Sequence, residues 1–446
     1  MSPSIRRETV LSLSARLFAE NPMRRALFRT MTAVLALSVA AGTAFAAAPE
    51  EWTLEQVVET ALANHPLIAQ ADAETRAARG RQTQAASGFY PSVTGSAGLF
   101  RSRAWSQLAQ QSTTINNLSL SGSLNYVISD FGRTSASVGQ ADALLAAAKS
   151  SGRLTRSDVA FGARLAYINV LRAQRVLDVR NETGHQRQAL LTQATAYYEA
   201  GLRARIDVAR AEANLYQARA ELAAAENDLR FARVTLLERM GLDGPPEFTL
   251  AESQVTPDTP LGSVEEWMRA AEKKRSDLRA AADRVQAADE ALRQAQAGYN
   301  PVLTGSAGYG YGADDLPLRQ NYGVGLQLSV PIFNGYLTRG QIAEAESRGA
   351  SARYGLAALQ RQVRLQVEQV SLALRLSVEQ IQARKKQRDA AEENLRLATG
   401  RYEAGAGDII EMIDAQTQAS EAETALVETR YDYNTALASL SRAIGE

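Results

Sequence analysis

The chain has no cysteine, only 12 prolines in 446 residues, and aromatic residues make up just 6% of it. Without cysteine there is no disulfide framework, no thiol nucleophile and no lipid-modified N-terminal cysteine. Any attachment to a membrane must therefore come from the fold. Charge of one sign is missing too: 49 basic side chains balance 49 acidic ones, so nothing in the balance points to nucleic acid. Beyond residue 48 no stretch approaches the ~20 apolar residues that a spanning helix needs. What remains is rich in Ala, Glu, Gln, Arg and Leu, the composition of long packed helices.

The N-terminus reads as an address. Arg24, Arg25 and Arg29 precede a charge-free run from Thr30 to Ala48 that contains Ala44-Phe45-Ala46. This basic, apolar, small-residue order is that of a secretory signal, with cleavage expected after Ala46 and Met23 as an alternative start; a transmembrane helix is the competing reading of the 19-residue run. Residues 1–46 are thus expected to be removed. The mature chain is expected to be exported, and either soluble or a β-barrel.

The chain repeats itself. Gly88-Phe89-Tyr90-Pro91-Ser92-Val93-Thr94-Gly95-Ser96-Ala97-Gly98 recurs as Gly298-Tyr299-Asn300-Pro301-Val302-Leu303-Thr304-Gly305-Ser306-Ala307-Gly308. Tyr198-Glu199-Ala200-Gly201 recurs as Tyr402-Glu403-Ala404-Gly405, and Gly241 has its counterpart in Gly445. Matches in the same order indicate a tandem duplication. Repeat 1 is assigned to 47–241, repeat 2 to 263–446, and the proline-bearing segment 242–262 to a linker.

Each repeat opens with a helical stretch, about Leu54–Ser87 and Val264–Ala297. A β-hairpin follows, about 90–128 in the first repeat and 300–332 in the second. Leu118, Leu120, Leu124, Tyr126 and Ile128 alternate with Ser119, Ser121, Ser123 and Asn125. Tyr322, Val324, Leu326 and Leu328 alternate with Gly323, Gly325, Gln327 and Ser329, and Leu303, Ala307, Tyr309 and Tyr311 alternate in the same way. One apolar face and one face of small polar residues is the pattern of a strand between lipid and water, although a half-buried soluble sheet alternates as well. About ten residues per strand fits the ~9–11 that cross a bilayer at a tilt. The polar connections Arg101–Asn117 and Ala313–Gln320 read as loops. Two hairpins leave sheet edges open, which hydrocarbon does not tolerate, so the barrel is expected to close across several chains. Gly308-Tyr309-Gly310-Tyr311-Gly312 lacks a lysine and sits in a strand pattern, so it reads as barrel wall and not as a phosphate loop. Tyr309, Tyr311 and Tyr322 suit an interfacial aromatic belt.

After each hairpin comes a helix of about 65 residues, roughly 100 Å at 1.5 Å per residue, over Thr134–Tyr198 and Thr338–Tyr402. Turns near 198–203 and 402–407 lead into returning helices. Val208, Leu215, Leu222, Leu229 and Leu236 recur every seven residues beside Ala211, Ala218, Ala225 and Ala232. Met412, Ala419, Leu426, Tyr433 and Leu440 do the same beside Ala415, Ala422, Thr429 and Ala436. A large–small seam of period seven specifies closely approaching helices.

These features resemble the TolC family of outer-membrane efflux and secretion channels. The resemblance rests on the duplication, on Tyr-Glu-Ala-Gly at both tips, and on Ile409-Ile410-Glu411-Met412-Ile413-Asp414-Ala415-Gln416 after the second tip. Val330-Pro331-Ile332-Phe333-Asn334-Gly335 at the barrel–helix junction, with Ile128-Ser129-Asp130-Phe131-Gly132 as its weaker first version, adds to it. The resemblance implies an α+β membrane protein: a homotrimeric twelve-stranded β-barrel, four strands per chain, continuous with an antiparallel α-helical coiled-coil barrel. It places the chain in the outer membrane of a Gram-negative bacterium, embedded in its lipid and reaching into the periplasm. It further implies a periplasmic adaptor and an inner-membrane RND or ABC transporter as partners, and no catalysis by the duct. Drug efflux, metal efflux and type I protein secretion all use such a duct.

By the same resemblance, Asp207, Glu411 and Asp414 match an acidic ring at the pore entrance, favouring cations. Asp408 with Glu411 also has the spacing of a capping box. Where family members often carry a basic residue two places after the second tip glycine, this chain has Gly407. Arg203 and Arg205 of the first tip are then the candidate gate partners, with Tyr402. Gly201, Leu202 and Gly405 are the adaptor-facing tips. His65 and His185 have no nearby acidic spacing, so no metal site or cofactor is expected. Two other classes compete: a periplasmic adaptor, which would carry one helical hairpin within β-rich domains, and a coiled-coil structural protein of the envelope, which would lack the paired strands.

Overall fold

A computed structural model describes residues 51–106, 110–252, 262–313 and 319–446. The signal region expected at 1–46 lies outside the described residues, as do 253–261 of the linker. The helices and strands run α1 (Leu54–Asn64), α2 (Pro66–Ala86), β1 (Ser92–Ser106), β2 (Gln111–Ser129), α3 (Arg133–Glu199) and α4 (Arg205–Met240). The order then recurs as α5 (Val264–Lys274), α6 (Ser276–Gln296), β3 (Val302–Ala313), β4 (Arg319–Ser329), α7 (Leu337–Glu403) and α8 (Ile409–Ile444). Matched helices have equal lengths of 11, 21, 67 and 36 residues.

The opening stretches expected as single helices are each two. In the first, His65 takes an extended conformation (φ −66°, ψ 127°) before Pro66, whose ring disfavours the helical region for its predecessor. In the second, Arg275 adopts the same conformation (φ −64°, ψ 123°) without a following proline. Tertiary structure enforces this break. Gly445, at φ +89°, packs so closely that a Cβ on it would lie 3.0 Å from the Arg275 nitrogen. The buried Arg275 guanidinium forks onto Asp277 at 3.0 and 2.6 Å and donates to the Ala443 carbonyl at 3.1 Å.

The four strands form one antiparallel sheet in the order β1-β2-β3-β4. The register gathers the alternating residues of all four strands: Val93–Leu124–Ala307–Val324 form one cross-strand row, Ala97–Leu120–Tyr311 another and Leu99–Leu118 a third. Tyr309 pairs with Tyr322 on the same face, and Tyr309 contacts Tyr311 edge-on at 5.6 Å. The opposite face carries the rows Ser96–Ser121–Gly310–Asn321 and Ser92–Asn125–Ser306–Gly325. Among the described residues nothing covers the apolar face, where Val324 is 85% exposed. The strands run past the expected loops: β1 and β2 stay paired from Ser92↔Asn125 to Ser106↔Gln111, through most of Arg101–Asn117. Hydrophobic alternation sees a strand only where one face is apolar. Beyond that point a ribbon polar on both faces keeps its ladder without signalling it.

The helices pack by the seven-residue seams. Ala211, Leu215, Ala218, Ala225, Leu229 and Leu236 of α4 are buried, as are Met412, Ala415, Ala422, Leu426, Thr429, Tyr433 and Leu440 of α8. Helix α8 buries a second stripe as well: Val427 and Tyr431 pack on Ile168 of α3, joining the repeats.

Candidate functional site at the helical tips

Both hairpin tips end their long helix in the same way. Gly201 (φ +72°) and Gly405 (φ +73°) supply the left-handed residue, and the next amides, of Leu202 and Ala406, donate to the carbonyls of Tyr197 and Arg401 at 2.9 Å. This closes a Schellman-type cap. Beyond it the tips diverge. Leu202 stands 71% exposed on the first tip. In the second, Gly407 lies against the end of α7, where a Cβ would come within 3.0 Å of the Tyr402 nitrogen. A side chain at that place would have to push the end of α7 aside by a few tenths of an ångström.

The first tip supplies the charge instead. Arg203 donates to the Gly407 carbonyl at 2.8 Å and lies over the Tyr402 ring, 5.3 Å from its centroid. Tyr402 is fully buried, tilted against Tyr197 at 5.9 Å, and its hydroxyl has no hydrogen-bond partner among the described residues. Burial, then the Asp207 carboxylate, push its hydroxyl pKa above the ordinary value, while Arg203 opposes them. Leu190, Ala194, Ala211, Ile409 and Met412 complete the cluster. Arg205 is exposed at the start of α4 and does not join it.

The three acids separate. Asp207 is buried in the first turn of α4, near Tyr402, where the helix N-terminus favours a carboxylate. Glu411 and Asp414 are exposed on α8. Asp408 caps α8 by accepting from the Ile410 amide at 3.2 Å. The capping box does not form, because Glu411 turns to Arg401 at 3.5 Å instead of back to the cap.

Sequence reasoning missed Tyr197, Arg401 and Arg187. The last is a buried α3 arginine that donates to the Ile413 carbonyl at 3.3 Å, to Gln416 at 3.2 Å and to Thr417 at 2.7 Å. It thereby ties α3 to α8 just above the tips. Burial lowers its pKa, and Glu221 opposes that shift. The arginine has no signature in the heptad pattern, because it lies on α3 and bonds to α8 of the other half of the chain.

The family profile described as outer membrane efflux protein matches residues 57–242 and 267–446, one segment in each repeat. The chain belongs to that family. It is 27% identical over 424 residues to the outer membrane protein TolC of Vibrio cholerae, across 92% of this chain and 94% of that one. It is 29% identical over 301 residues to the outer membrane protein TolC of Escherichia coli, across 63% of this chain and 60% of that one. The fold matches that of the outer membrane protein VceC from Vibrio cholerae with a TM-score of 0.78 at 22% identity, covering 88% of this chain and 96% of VceC. As a member of that family, the chain belongs to the outer membrane of Gram-negative bacteria and extends into the periplasm.

Proposed function

We propose that this chain is one protomer of a homotrimeric exit duct, a product of tandem duplication, working in a tripartite efflux or type I secretion system. One observation carries the reading: a four-stranded sheet with β1 and β4 as open edges and an uncovered apolar face. Open edges in hydrocarbon cost several kcal/mol per unsatisfied backbone group, so β4 of one copy must meet β1 of the next. Three copies give twelve strands. The apolar rows run from Leu303 to Ala313 of β3, about 25 Å of barrel height at the usual strand rise and tilt, which is the height of the lipid-facing band in such barrels.

Below the barrel, the paired helices form the periplasmic tunnel, and the duct conducts passively what an inner-membrane RND or ABC transporter delivers. A periplasmic adaptor docks on the tips around Gly201, Leu202 and Gly405. Glu411 and Asp414, exposed on α8, form rings of negative charge at the entrance. Arg203 on Tyr402 and Gly407 holds the entrance closed. A heat-sensitive trimer in outer-membrane fractions is the expected result on gels run with and without boiling. A soluble periplasmic monomer overturns the reading.

A further inference from the structure

The proposed duct assigns no role to Arg101 and Arg103 of the β1–β2 ribbon. We propose that Arg101 and Arg103 form a binding site for the phosphate groups of outer-leaflet lipid headgroups. The inference rests on the barrel reading above and goes beyond it.

Register decides which way these side chains face. Leu99 pairs with Leu118 in the last apolar row, and the next rows on that face are Arg101–Asn116, Arg103–Thr114 and Trp105–Ser112. Residues alternate faces strictly along a strand, so Arg101, Arg103 and Trp105 share the face of Val93, Ala97 and Leu99. All three are exposed. Among the described strand residues that face carries no other charge. Arg319, paired with Gly312 in the second hairpin, falls on the opposite, polar face with Ser306 and Gly325. Charge on the lipid side is thus confined to the two positions directly beyond the apolar rows.

Height decides what they can meet. Same-face neighbours lie about 7 Å apart, so the arginines stand one and two steps above Leu99. An arginine on the lipid face costs ~2–4 kcal/mol at the midplane but only ~0–1 near the interface. The Leu99–Leu118–Ala313 row closes the apolar band, with Tyr311 one row inside it in the row of Ala97, so the arginines stand beyond the band at the headgroup level. At that level the abundant anion is phosphate, which a guanidinium binds through two parallel hydrogen bonds. Trp105, one step further out, adds the amphipathic ring favoured in the same layer.

The test uses the full chain and an Arg101→Gln/Arg103→Gln double variant, each placed in phosphatidylcholine nanodiscs. The discs carry either bisphosphorylated lipid A or the same glycolipid dephosphorylated. Glycolipid retained after extraction is counted by native mass spectrometry. The wild type is expected to retain the bisphosphorylated form several-fold over the dephosphorylated one, and the variant to lose that preference while keeping the same oligomer. Equal retention of both glycolipids by the wild type, or an undiminished preference in the variant, overturns the inference while the duct reading stands. Failure of the wild type to embed as an oligomer overturns both.

Discussion

The two helical tips share the run Tyr-Glu-Ala-Gly, yet Tyr198 is 45% exposed and Tyr402 is fully buried. Local sequence sets the turn, and the glycines, caps and carbonyl bonds are the same at both. Partners set the rest. Where the second tip has Gly407, the first has Arg203, and these two matched positions touch across the tips at 2.8 Å. A glycine that leaves its carbonyl open and an arginine that fills the space make one contact out of what was a repeated position. Two ends with the same local sequence thus become complementary through one differing residue in each.

The largest test of this asymmetry is truncation of the two tyrosines. Tyr402→Ala is expected to lower stability by about 3–5 kcal/mol, as for large aromatic deletions, whereas Tyr198→Ala stays within about 0.5 kcal/mol. Thermal melting of the purified protein reads both, and equal losses would contradict the buried–exposed distinction. Tyr402→Phe sharpens it: removing a buried hydroxyl without a partner should raise stability by up to about 1–3 kcal/mol.

Next comes the contact itself. Arg203→Ala removes a charge-assisted hydrogen bond worth about 1.5–3 kcal/mol, and it should raise single-channel conductance in planar bilayers. Arg205→Ala, on an exposed residue, should do neither. At the facing position, Gly407→Ala forces a Cβ against the α7 backbone and should cost about 1–3 kcal/mol, read by melting. The smallest effect on stability is expected from Glu411→Ala with Asp414→Ala. That pair should reduce cation selectivity in reversal-potential measurements and barely move the melting curve. Asp207→Ala, its buried counterpart in the first repeat, should do the reverse. If Asp207→Ala alone abolishes selectivity, the entrance is lined by the first tip instead.

Much of this was legible in the residues because it is periodic. The seven-residue seams foretold which faces of α4 and α8 are buried, and the tip glycines foretold the turns to within a residue or two. Alternation foretold the sheet face that Val93, Leu124, Ala307 and Val324 share. It stopped short in the β1–β2 ribbon, where backbone pairing continues without an apolar face to announce it. The break at Arg275 was silent because Gly445, distant in sequence, imposes it. The same holds for the tips. Asp207 and Glu411 occupy matched positions, and only packing against Tyr402 buries one and leaves the other exposed.

The equal helix lengths constrain how such a chain can change. Helices α3 and α7 both have 67 residues, and α4 and α8 both have 36. A single inserted residue would turn everything beyond it by about 100° and shift it by about 1.5 Å, swinging the seam out of the interface. Seven inserted residues would leave the faces only about 20° out of step, but they would lengthen one hairpin by about 10 Å and carry Arg203 away from Gly407. Lengthening this protein without breaking its tip contact therefore takes heptad steps, made in both strands of a hairpin and in both repeats together.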